Sequence, residues 1–210
     1  MPELLNALGI AYYRQGKTNK AGEFFNQALQ MISASRIKLA TPELLNNLGA
    51  VYIAQHKFQK AEDILKQALK VRERVVGPAH PDLTFTLVAL GVLYTESRRY
   101  TEAEDQYLRA LKILEPASAD FATRIARVLY ALSTTYIRAG RKTEAEALLA
   151  QAAVLAREHL TQHPDMAKIV EDYSTILSNS GKKKEADELR VEAKRARVST
   201  GLVINAHNPF

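Results

Sequence analysis

Two histidines four residues apart, His159 and His163, have the spacing that best fits a metal ion, because positions i and i+4 lie on one face of a helix. No glutamate stands between them, no third ligand is evident, and Pro164 follows immediately. Protein zinc sites take three or four protein ligands. We therefore expect no metal site. His80 and His163 each open a His-Pro-Asp segment, where turn formation or helix capping is sufficient to explain them.

Catalysis requires a nucleophile, a base and a stabilising group that converge on one point. The sequence has no Gly-x-Ser-x-Gly segment and no glycine-rich phosphate loop, and it has no cysteine, which excludes disulfides and thiolate nucleophiles. Glu102, Glu104 and Asp105 are explained as acidic residues near the start of a helix, where they interact favourably with the helix dipole. We expect no catalytic residues and no cofactor.

The net charge of +6 comes from 29 Lys and Arg residues against 23 Asp and Glu residues. The basic excess lies in the first third of the chain, interleaved with acids, and does not form the basic stripe that nucleic-acid binding requires. No apolar run approaches the roughly 18 residues of a membrane span, and the first residues do not resemble a signal peptide. We expect no nucleic-acid partner and no membrane span, and a cytoplasmic location is favoured.

A phrase of eight residues occurs twice, as PELLNALG ending at Gly9 and as PELLNNLG ending at Gly49. Weaker copies follow, and the small residue that closes each copy is called the anchor below. The anchors are spaced by 40, 42, 42 and 41 residues and fall at Gly9, Gly49, Gly91, Ser133 and Ser174. A repeat of this length determines the architecture of the whole chain.

The residues that follow each anchor have helical spacing. Three residues after the anchor stand Tyr12, Tyr52, Tyr94, Tyr136 and Leu177. Twelve and nineteen residues after it stand alanines: Ala21, Ala28, Ala61, Ala68, Ala103, Ala110, Ala145, Ala152, Ala186 and Ala193. Between the two alanines of each repeat stand Phe25, Leu65, Tyr107, Leu149 and Arg190. Polar breaks such as RQGK, at residues 14–17, separate two helical halves, which predicts a helix, a tight turn and a second helix in each repeat.

This alternation of small, large and small residues resembles the tetratricopeptide repeat family. The period near 42 is similar to the longer repeats of kinesin light chain and many bacterial arrays, and the segments GPAHPD and QHPD, ending at Asp82 and Asp165, add to the likeness. The resemblance implies an all-α fold, a right-handed α-solenoid of about five helix-turn-helix repeats. We expect a single domain over residues 1–197, with repeats near 2–38, 41–76, 81–115, 119–160 and 164–197, and a tail over 198–210.

The sequence also predicts features at the starts of helices and at the two ends of the chain. Thr41 is predicted as the N-cap of a helix with proline in its first turn, and Pro81 and Pro164 mark similar starts. The chain begins inside a first helix with no preceding cap, so we expect a piece of a longer protein, or self-association through that helix. The apolar segment Leu202-Val203-Ile204 of the tail is expected to fold back or to enter the groove of a neighbouring molecule. The polar last repeat fits a natural end of the array.

Helical geometry at 100° per residue separates two faces of each first helix. The positions six and three before the anchor, and one, four and five after it, lie roughly 160° from the positions that pack in the core. These positions are called the candidate face below; in the tetratricopeptide family this face lines a concave groove that binds peptides. We expect it to contact a ligand through Asn6, Ile10, Tyr13, Arg14, Asn46, Ile53, Phe85, Val88, Val92, Arg127, Tyr130, Ile137 and Arg138.

Two interpretations of this face remain open: a ligand groove, or side chains that pack against neighbouring helices or the tail. In the first, the protein is a scaffold that binds a peptide or protein segment without chemistry of its own. Asn6 and Asn46, one repeat apart, then pair with the backbone of the segment, as the resemblance to kinesin light chain implies, although Val88 and Tyr130 interrupt the asparagine series. Alternatively, the chain is a regulatory or sensor module of a larger protein whose effector domain lies elsewhere.

Overall fold

A computed structural model of the chain describes residues 1–34, 41–115 and 121–199. These residues form α-helices and turns and contain no strand, so the all-α prediction is confirmed for them. The apolar segment of the tail lies outside the described residues. The helices are α1 (Pro2–Arg14), α2 (Thr18–Ala34), α3 (Pro42–Ala54), α4 (Phe58–Val76), α5 (Leu83–Glu96), α6 (Tyr100–Leu114), α7 (Ala122–Arg138), α8 (Lys142–Glu158), α9 (Ala167–Asn179) and α10 (Lys183–Ser199).

The chain divides into two compact units whose boundary falls inside α6, between Gln106 and Tyr107. The first unit contains α1 to α5, and the second contains α7 to α10. Each is described by itself, and the expected single domain over 1–197 stays a prediction. Within the units, consecutive helices pack as pairs: α1 with α2, α3 with α4, α7 with α8, and α9 with α10.

The close approach of the two helices in a pair depends on the anchor. A Cβ atom added at Gly9 would lie 2.4 Å from Cε1 of Phe25, and one added at Gly49 would lie 2.5 Å from Cδ2 of Leu65. Both distances are shorter than van der Waals contact, so any larger residue would push the second helix away. The alanines predicted twelve and nineteen residues after each anchor are all buried, at most 1% exposed, which confirms the small-large-small pattern.

The two later anchors are serines, and both are fully buried. The hydroxyl of Ser133 donates to the carbonyl oxygen of Tyr130 at 2.7 Å, and that of Ser174 donates to the carbonyl of Glu171 at 2.6 Å. Each hydroxyl is therefore satisfied by a carbonyl one turn back in its own helix, so serine fits the anchor position without an unpaired buried polar group.

The turn between the helices has the same backbone geometry in all five repeats. The residue seven after each anchor has a φ between 55° and 87°, in the left-handed region, and this residue is Gly16, His56, Arg98, Gly140 or Gly181. The amide of the next residue donates to the carbonyl of the residue three after the anchor at 2.7–3.0 Å, as in Arg99 to Tyr94. This hydrogen bond ends each first helix and sets the direction of the second.

A basic residue follows the left-handed residue in every repeat: Lys17, Lys57, Arg99, Arg141 and Lys182. In three repeats its cationic group lies over the tyrosine ring of the same turn. The guanidinium carbon of Arg141 is 3.7 Å from the ring centroid of Tyr136, that of Arg99 is 4.4 Å from the ring of Tyr94, and Lys17 Nζ is 5.7 Å from the ring of Tyr12. Cation–π contacts of this kind contribute about 0.5–1 kcal/mol where exposed.

In the first unit, a buried carboxylate connects one repeat to the next. Glu62 on α4 accepts hydrogen bonds from the Tyr94 hydroxyl at 3.1 Å and from Arg99 Nη1 at 2.6 Å, and Lys66 Nζ lies 2.7 Å away. Burial by itself raises the pKa of Glu62, but the hydrogen bonds from Lys66, Arg99 and Tyr94 outweigh it and lower the pKa to about 2. Glu62 is therefore ionised at neutral pH and ties α4 to the turn that follows α5.

Three helix starts were predicted from the sequence. One lies at the expected residue, and the other two lie further along the chain than predicted. Thr41 Oγ1 accepts from the amide of Leu44 at 3.3 Å, so Thr41 is the N-cap of α3 as expected. Pro81 lies two residues before α5, because the His-Pro-Asp segment forms a turn in which the carbonyl of Pro81 accepts from Thr84. Pro164 begins a short 3₁₀ helix, Pro164–Met166, and α9 starts only after it.

The shared turn geometry gives a matched pair of substitutions. Arg98 occupies the position at which three repeats have glycine, and its φ of 61° costs a residue with a Cβ about 1 kcal/mol. We predict that Arg98→Gly raises the free energy of unfolding by up to about 1 kcal/mol, and that Gly16→Ala, at the equivalent position, lowers it by a similar amount. Urea unfolding followed by circular dichroism measures both. A loss of stability in Arg98→Gly would contradict the role assigned to the turn.

Candidate functional site

In the first unit, the candidate face lies on α1, α3 and α5. The three apolar residues of α1 and α3 that were expected to contact a ligand are partly or wholly used by packing. Ile10 and Tyr13 are half-buried and pack against a core cluster, and burial raises the pKa of the Tyr13 hydroxyl. Ile53 is only 8% exposed. Its expected place at the surface is therefore wrong, because α5 packs beside α3 in this unit. These three residues therefore mainly stabilise helix packing and leave little surface for a ligand.

The apolar residues on α5 form a separate strip. Phe85 is 50% exposed, and Val88 and Val92 are half-buried. Their spacing of three and four residues places them along one side of the helix. We call these three residues the α5 strip. It is the part of the predicted apolar centre of the face that remains at the surface of the first unit.

Phe85 has a defined neighbour at the end of α4. The guanidinium carbon of Arg72 is 6.0 Å from the centroid of the Phe85 ring. Arg72 is itself buried and donates to Glu43 Oε1 at 2.5 Å and to the carbonyl of Asp82 at 3.0 Å. The cation is thus already paired, and it positions the start of α5 where the ring projects.

The two asparagines three residues before their anchors have different partners. Asn6 Oδ1 accepts from Asn47 Nδ2 of the next repeat at 2.9 Å, so this atom of Asn6 is used between repeats. The residue of the third repeat that corresponds to Asn47 is Ala89, which has no polar side chain. Asn46 Oδ1 is accordingly buried without a hydrogen-bond partner. Val88 of the α5 strip has the same repeat position as Asn46 in the third repeat.

In the second unit, the candidate face is largely paired within the chain. Arg127 forms an ion pair with Asp165, and the Tyr130 hydroxyl donates to Asp172 Oδ2 at 2.7 Å. Burial, and then the hydrogen bond to this carboxylate, raise the pKa of Tyr130. Asp172 also accepts from Lys168 at 2.5 Å. Arg127 was expected to contact a ligand, and in the structure it pairs with Asp165.

The other two residues of the second unit that were expected to contact a ligand lie on the last turn of α7. Ile137 is 49% exposed and Arg138 is exposed. Arg14, at the end of α1 in the first unit, is exposed as well. These residues keep the surface position that the sequence predicted for them.

Sequence reasoning missed the residues two before the anchors. Asn47 and Asp172 share this repeat position, and each pairs with the residue three before the preceding anchor, Asn6 and Tyr130 respectively. The sequence carries a signal for these hydrogen bonds, because a polar residue three before one anchor recurs together with a polar residue two before the next anchor. The basic residue that follows the left-handed residue of each turn is also visible in the sequence of all five repeats, but it was given no role there.

Within the described residues, no group of three or more His, Asp or Glu side chains is arranged to hold a metal ion. No helix in this part of the chain has the length and apolar character needed to cross a bilayer.

Three family models, each described as a tetratricopeptide repeat, match residues 2–32, 40–115 and 125–165, and together they span most of the chain. The chain belongs to the tetratricopeptide repeat family. The predicted fold of about five helix-turn-helix repeats is thereby confirmed, and repeats of this family build protein–protein interaction scaffolds. No functionally curated protein has a sequence close enough to this chain to be called a relative.

Solved structures of similar fold share little sequence with this tetratricopeptide array. A crystal structure of nearly identical repeats from a putative kinesin light chain of Podosopora anserina has a TM-score of 0.65 and 20% identity, covering 95% of this chain and 98% of that one. BtubC (BKLC) from P. vanneervenii has a TM-score of 0.70 and 20% identity, covering 98% of this chain and 84% of that one. A Rap protein complexed with competence and sporulation factor has a TM-score of 0.76 and 17% identity, with 92% of this chain and 53% of that chain covered. At these identities the likeness concerns the fold.

The unequal partners of the two asparagines give a prediction. Replacing Asn46 by leucine removes a buried unpaired acceptor, which costs about 1–3 kcal/mol, and keeps the side-chain volume. We expect Asn46→Leu to raise the free energy of unfolding by about 1 kcal/mol, and Asn6→Leu to lower it by about 1 kcal/mol because Asn47 Nδ2 loses its acceptor. Chemical unfolding of both variants under one set of conditions measures the difference. Equal destabilisation by the two substitutions would contradict the assignment.

Proposed function

We propose that the protein is a non-catalytic scaffold that binds a segment of another protein along the α5 strip. The observation that carries the proposal is a line of apolar side chains, Phe85 half exposed and Val88 and Val92 half-buried, on a helix whose other residues are mostly buried. A contiguous apolar surface on a folded domain usually marks an interaction site, and aromatic residues dominate the binding energy of such sites.

The polar surroundings of the strip indicate which kind of segment fits it. Asn46 Oδ1 is buried and lacks a donor, so it does not contribute a hydrogen bond to a bound segment. Arg72 does not add a binding charge, since Glu43 and the Asp82 carbonyl already satisfy it in part. A segment with apolar side chains and few charges therefore fits the strip best.

The proposed site is narrower than the face expected from the sequence. Ile10, Tyr13 and Ile53 contribute packing, while Asn6 and Tyr130 hold neighbouring repeats together. The ligand role is kept for the α5 strip, whereas Asn46 has its unpaired oxygen buried. Arg14, Ile137 and Arg138 are exposed residues whose contribution a selected ligand would reveal.

A displayed library of random peptides about 15 residues long, selected on the wild-type protein, tests the proposal. We predict that the selected peptides bind Phe85→Glu plus Val88→Glu at least about tenfold more weakly, which corresponds to about 1.4 kcal/mol. The control is Leu108→Glu plus Val154→Glu, which introduces the same two charges at exposed apolar residues of α6 and α8. Circular dichroism checks that both variants fold. Selected peptides that bind the strip variant as tightly as the wild type, or a library that yields no binders, would overturn the proposal.

A second candidate function is that of a regulatory or sensor module within a larger protein. The chain spans only 53% of the Rap protein that it matches with the highest TM-score of the three structures described. A repeat array that fills about half of a longer chain leaves the remainder for an effector domain.

The reading frame around the coding sequence distinguishes this second candidate from the first. If the chain is such a module, the frame continues without a stop codon beyond Met1 or Phe210 and encodes a further domain. Stop codons immediately on both sides would contradict it and leave the independent scaffold.

A further inference from the structure

The turns between the helices of the first two repeats are basic. Residues 14–20 read RQGKTNK and residues 54–60 read AQHKFQK, so together they contain five Lys and Arg residues and no Asp or Glu. Both segments lie in the first unit. We call them the basic turns, and their exposed cationic side chains are Arg14, Lys17, Lys20, Lys57 and Lys60.

The later repeats have a carboxylate where the basic turns have a lysine. Eleven residues after the anchor stand Lys20, Lys60, Glu102, Glu144 and Glu185. In repeat three, Arg99 Nε donates to Glu102 Oε1 at 2.8 Å. In repeat four, Arg141 Nη2 donates to Glu144 Oε2 at 2.6 Å. The turns of repeats one and two therefore lack the internal carboxylate that pairs with the basic residue in repeats three and four.

The same difference leaves two helix starts without a compensating negative charge. The helices α6, α8 and α10 each have an acidic residue in the first turn, whereas α2 and α4 have none. An acidic group is favourable there, because the unpaired amides of the first turn give the start of a helix a partial positive charge. The basic turns add whole positive charges at the same place, so the electrostatic potential at the starts of α2 and α4 favours an anion.

The lysines of the first basic turn contact uncharged groups. Lys17 Nζ and Lys20 Nζ lie 5.7 Å and 5.6 Å from the centroid of the same ring, that of Tyr12, which keeps two like charges close together. Lys17 also donates to Gln15 Oε1 at 2.8 Å. Within residues 1–34, 41–115 and 121–199, no carboxylate pairs with a cation of the basic turns. A carboxylate from outside would reduce the repulsion between the two ammonium groups.

One side chain joins the two basic turns. Gln55 Nε2 donates to Asn19 Oδ1 of the first turn at 3.0 Å. The amide oxygen of the same glutamine accepts from Lys57 Nζ at 2.7 Å. The ammonium group of Lys57 is thus connected through a single side chain to the segment that carries Lys17 and Lys20, and the cations of the two turns lie beside one another.

We propose that the basic turns bind an acidic segment of a partner protein, whose carboxylates take the place that Glu102 and Glu144 occupy in the turns of repeats three and four. Packed helices lie about 8–10 Å apart, and an extended chain advances about 3.3 Å per residue. Acidic residues three positions apart in an extended segment can therefore pair with neighbouring turns. The surface shares no residue with the α5 strip, so this proposal does not depend on the proposed function.

Two other classes of anion fit the basic turns less well. Single-stranded nucleic acids gain affinity from bases that stack on exposed aromatic side chains. Here Tyr12 is half-buried and stacks on Phe24 at a centroid distance of 5.2 Å, and the rings of His56 and Phe58 already meet edge to face at 5.7 Å. Stable binding to a membrane surface needs large apolar side chains beside the cations, and Phe58, the one large apolar residue of the basic turns, is half-buried.

A synthetic peptide of about five Glu-Gly-Ser units, titrated into the full chain at low ionic strength and followed by NMR, tests the proposal. We expect the peptide to shift the amide signals of residues 14–20 and 54–60 more than those of residues 181–188, which contain three lysines but also Glu185. The same peptide with glutamine in place of glutamate should shift neither set. Equal shifts at the two places, or no binding of the glutamate peptide, would overturn the proposal.

Two variants with the same change in charge separate the basic turns from the net charge of the protein. Lys20→Glu plus Lys60→Glu gives repeats one and two the acid that repeats three and four have. It should weaken peptide binding at least about tenfold without lowering the midpoint of thermal unfolding, because the new carboxylates pair within the turns. Lys183→Glu plus Lys184→Glu, at the start of α10, should bind within about twofold of the wild type. A similar loss in both variants, or a turn variant that binds like the wild type, would contradict the proposal.

The same variants distinguish the class of partner. An oligothymidylate with as many phosphates as the peptide has carboxylates, and vesicles that contain phosphatidylserine, are titrated beside the peptide. We expect both probes to bind more weakly than the peptide. Tighter binding of either probe that is lost in Lys20→Glu plus Lys60→Glu would assign the basic turns to nucleic acid or to a membrane surface, and would overturn the proposal.

Discussion

The structure depends on the close approach of two helices at each anchor. Glycine at Gly9 and Gly49 leaves room for Phe25 and Leu65 of the second helix, and buried alanines on either side of these residues keep the helices close. This contact fixes the rotation of each helix about its axis. The rotation in turn determines which side chains are enclosed and which remain at the surface.

The turns and the contacts between repeats extend this local constraint along the chain. A left-handed residue and one backbone hydrogen bond give every repeat the same turn, and the basic residue that follows lies over a tyrosine in three of them. In the first unit, Glu62 then joins one repeat to the next turn through Tyr94 and Arg99. On α5 most residues around the α5 strip are buried, and the strip itself remains partly exposed.

The fold could be predicted because the buried positions recur in each repeat. The alanines are buried wherever the pattern placed them, since each one faces its partner helix within the same repeat. Exposure on the candidate face could not be predicted in this way. Ile53 and Ile137 share one repeat position but are 8% and 49% exposed, because their exposure depends on what the neighbouring repeat contributes. Asn6 and Asn46 differ for the same reason: Asn6 bonds to Asn47 of the next repeat, whereas the repeat that follows Asn46 has Ala89 at the position of Asn47.

Solvent paramagnetic relaxation of the methyl groups tests the rotation of α5 most directly. Leu87 is fully buried, and Val88 is the next residue along the chain. With a soluble paramagnetic probe, the methyl signals of Val88 and Val92 should be strongly attenuated, and those of Leu87 and Val51 should be nearly unchanged. Attenuation of Leu87 with protection of Val88, or equal attenuation of both, would show that the helix is rotated and that the proposed binding strip does not face the solvent.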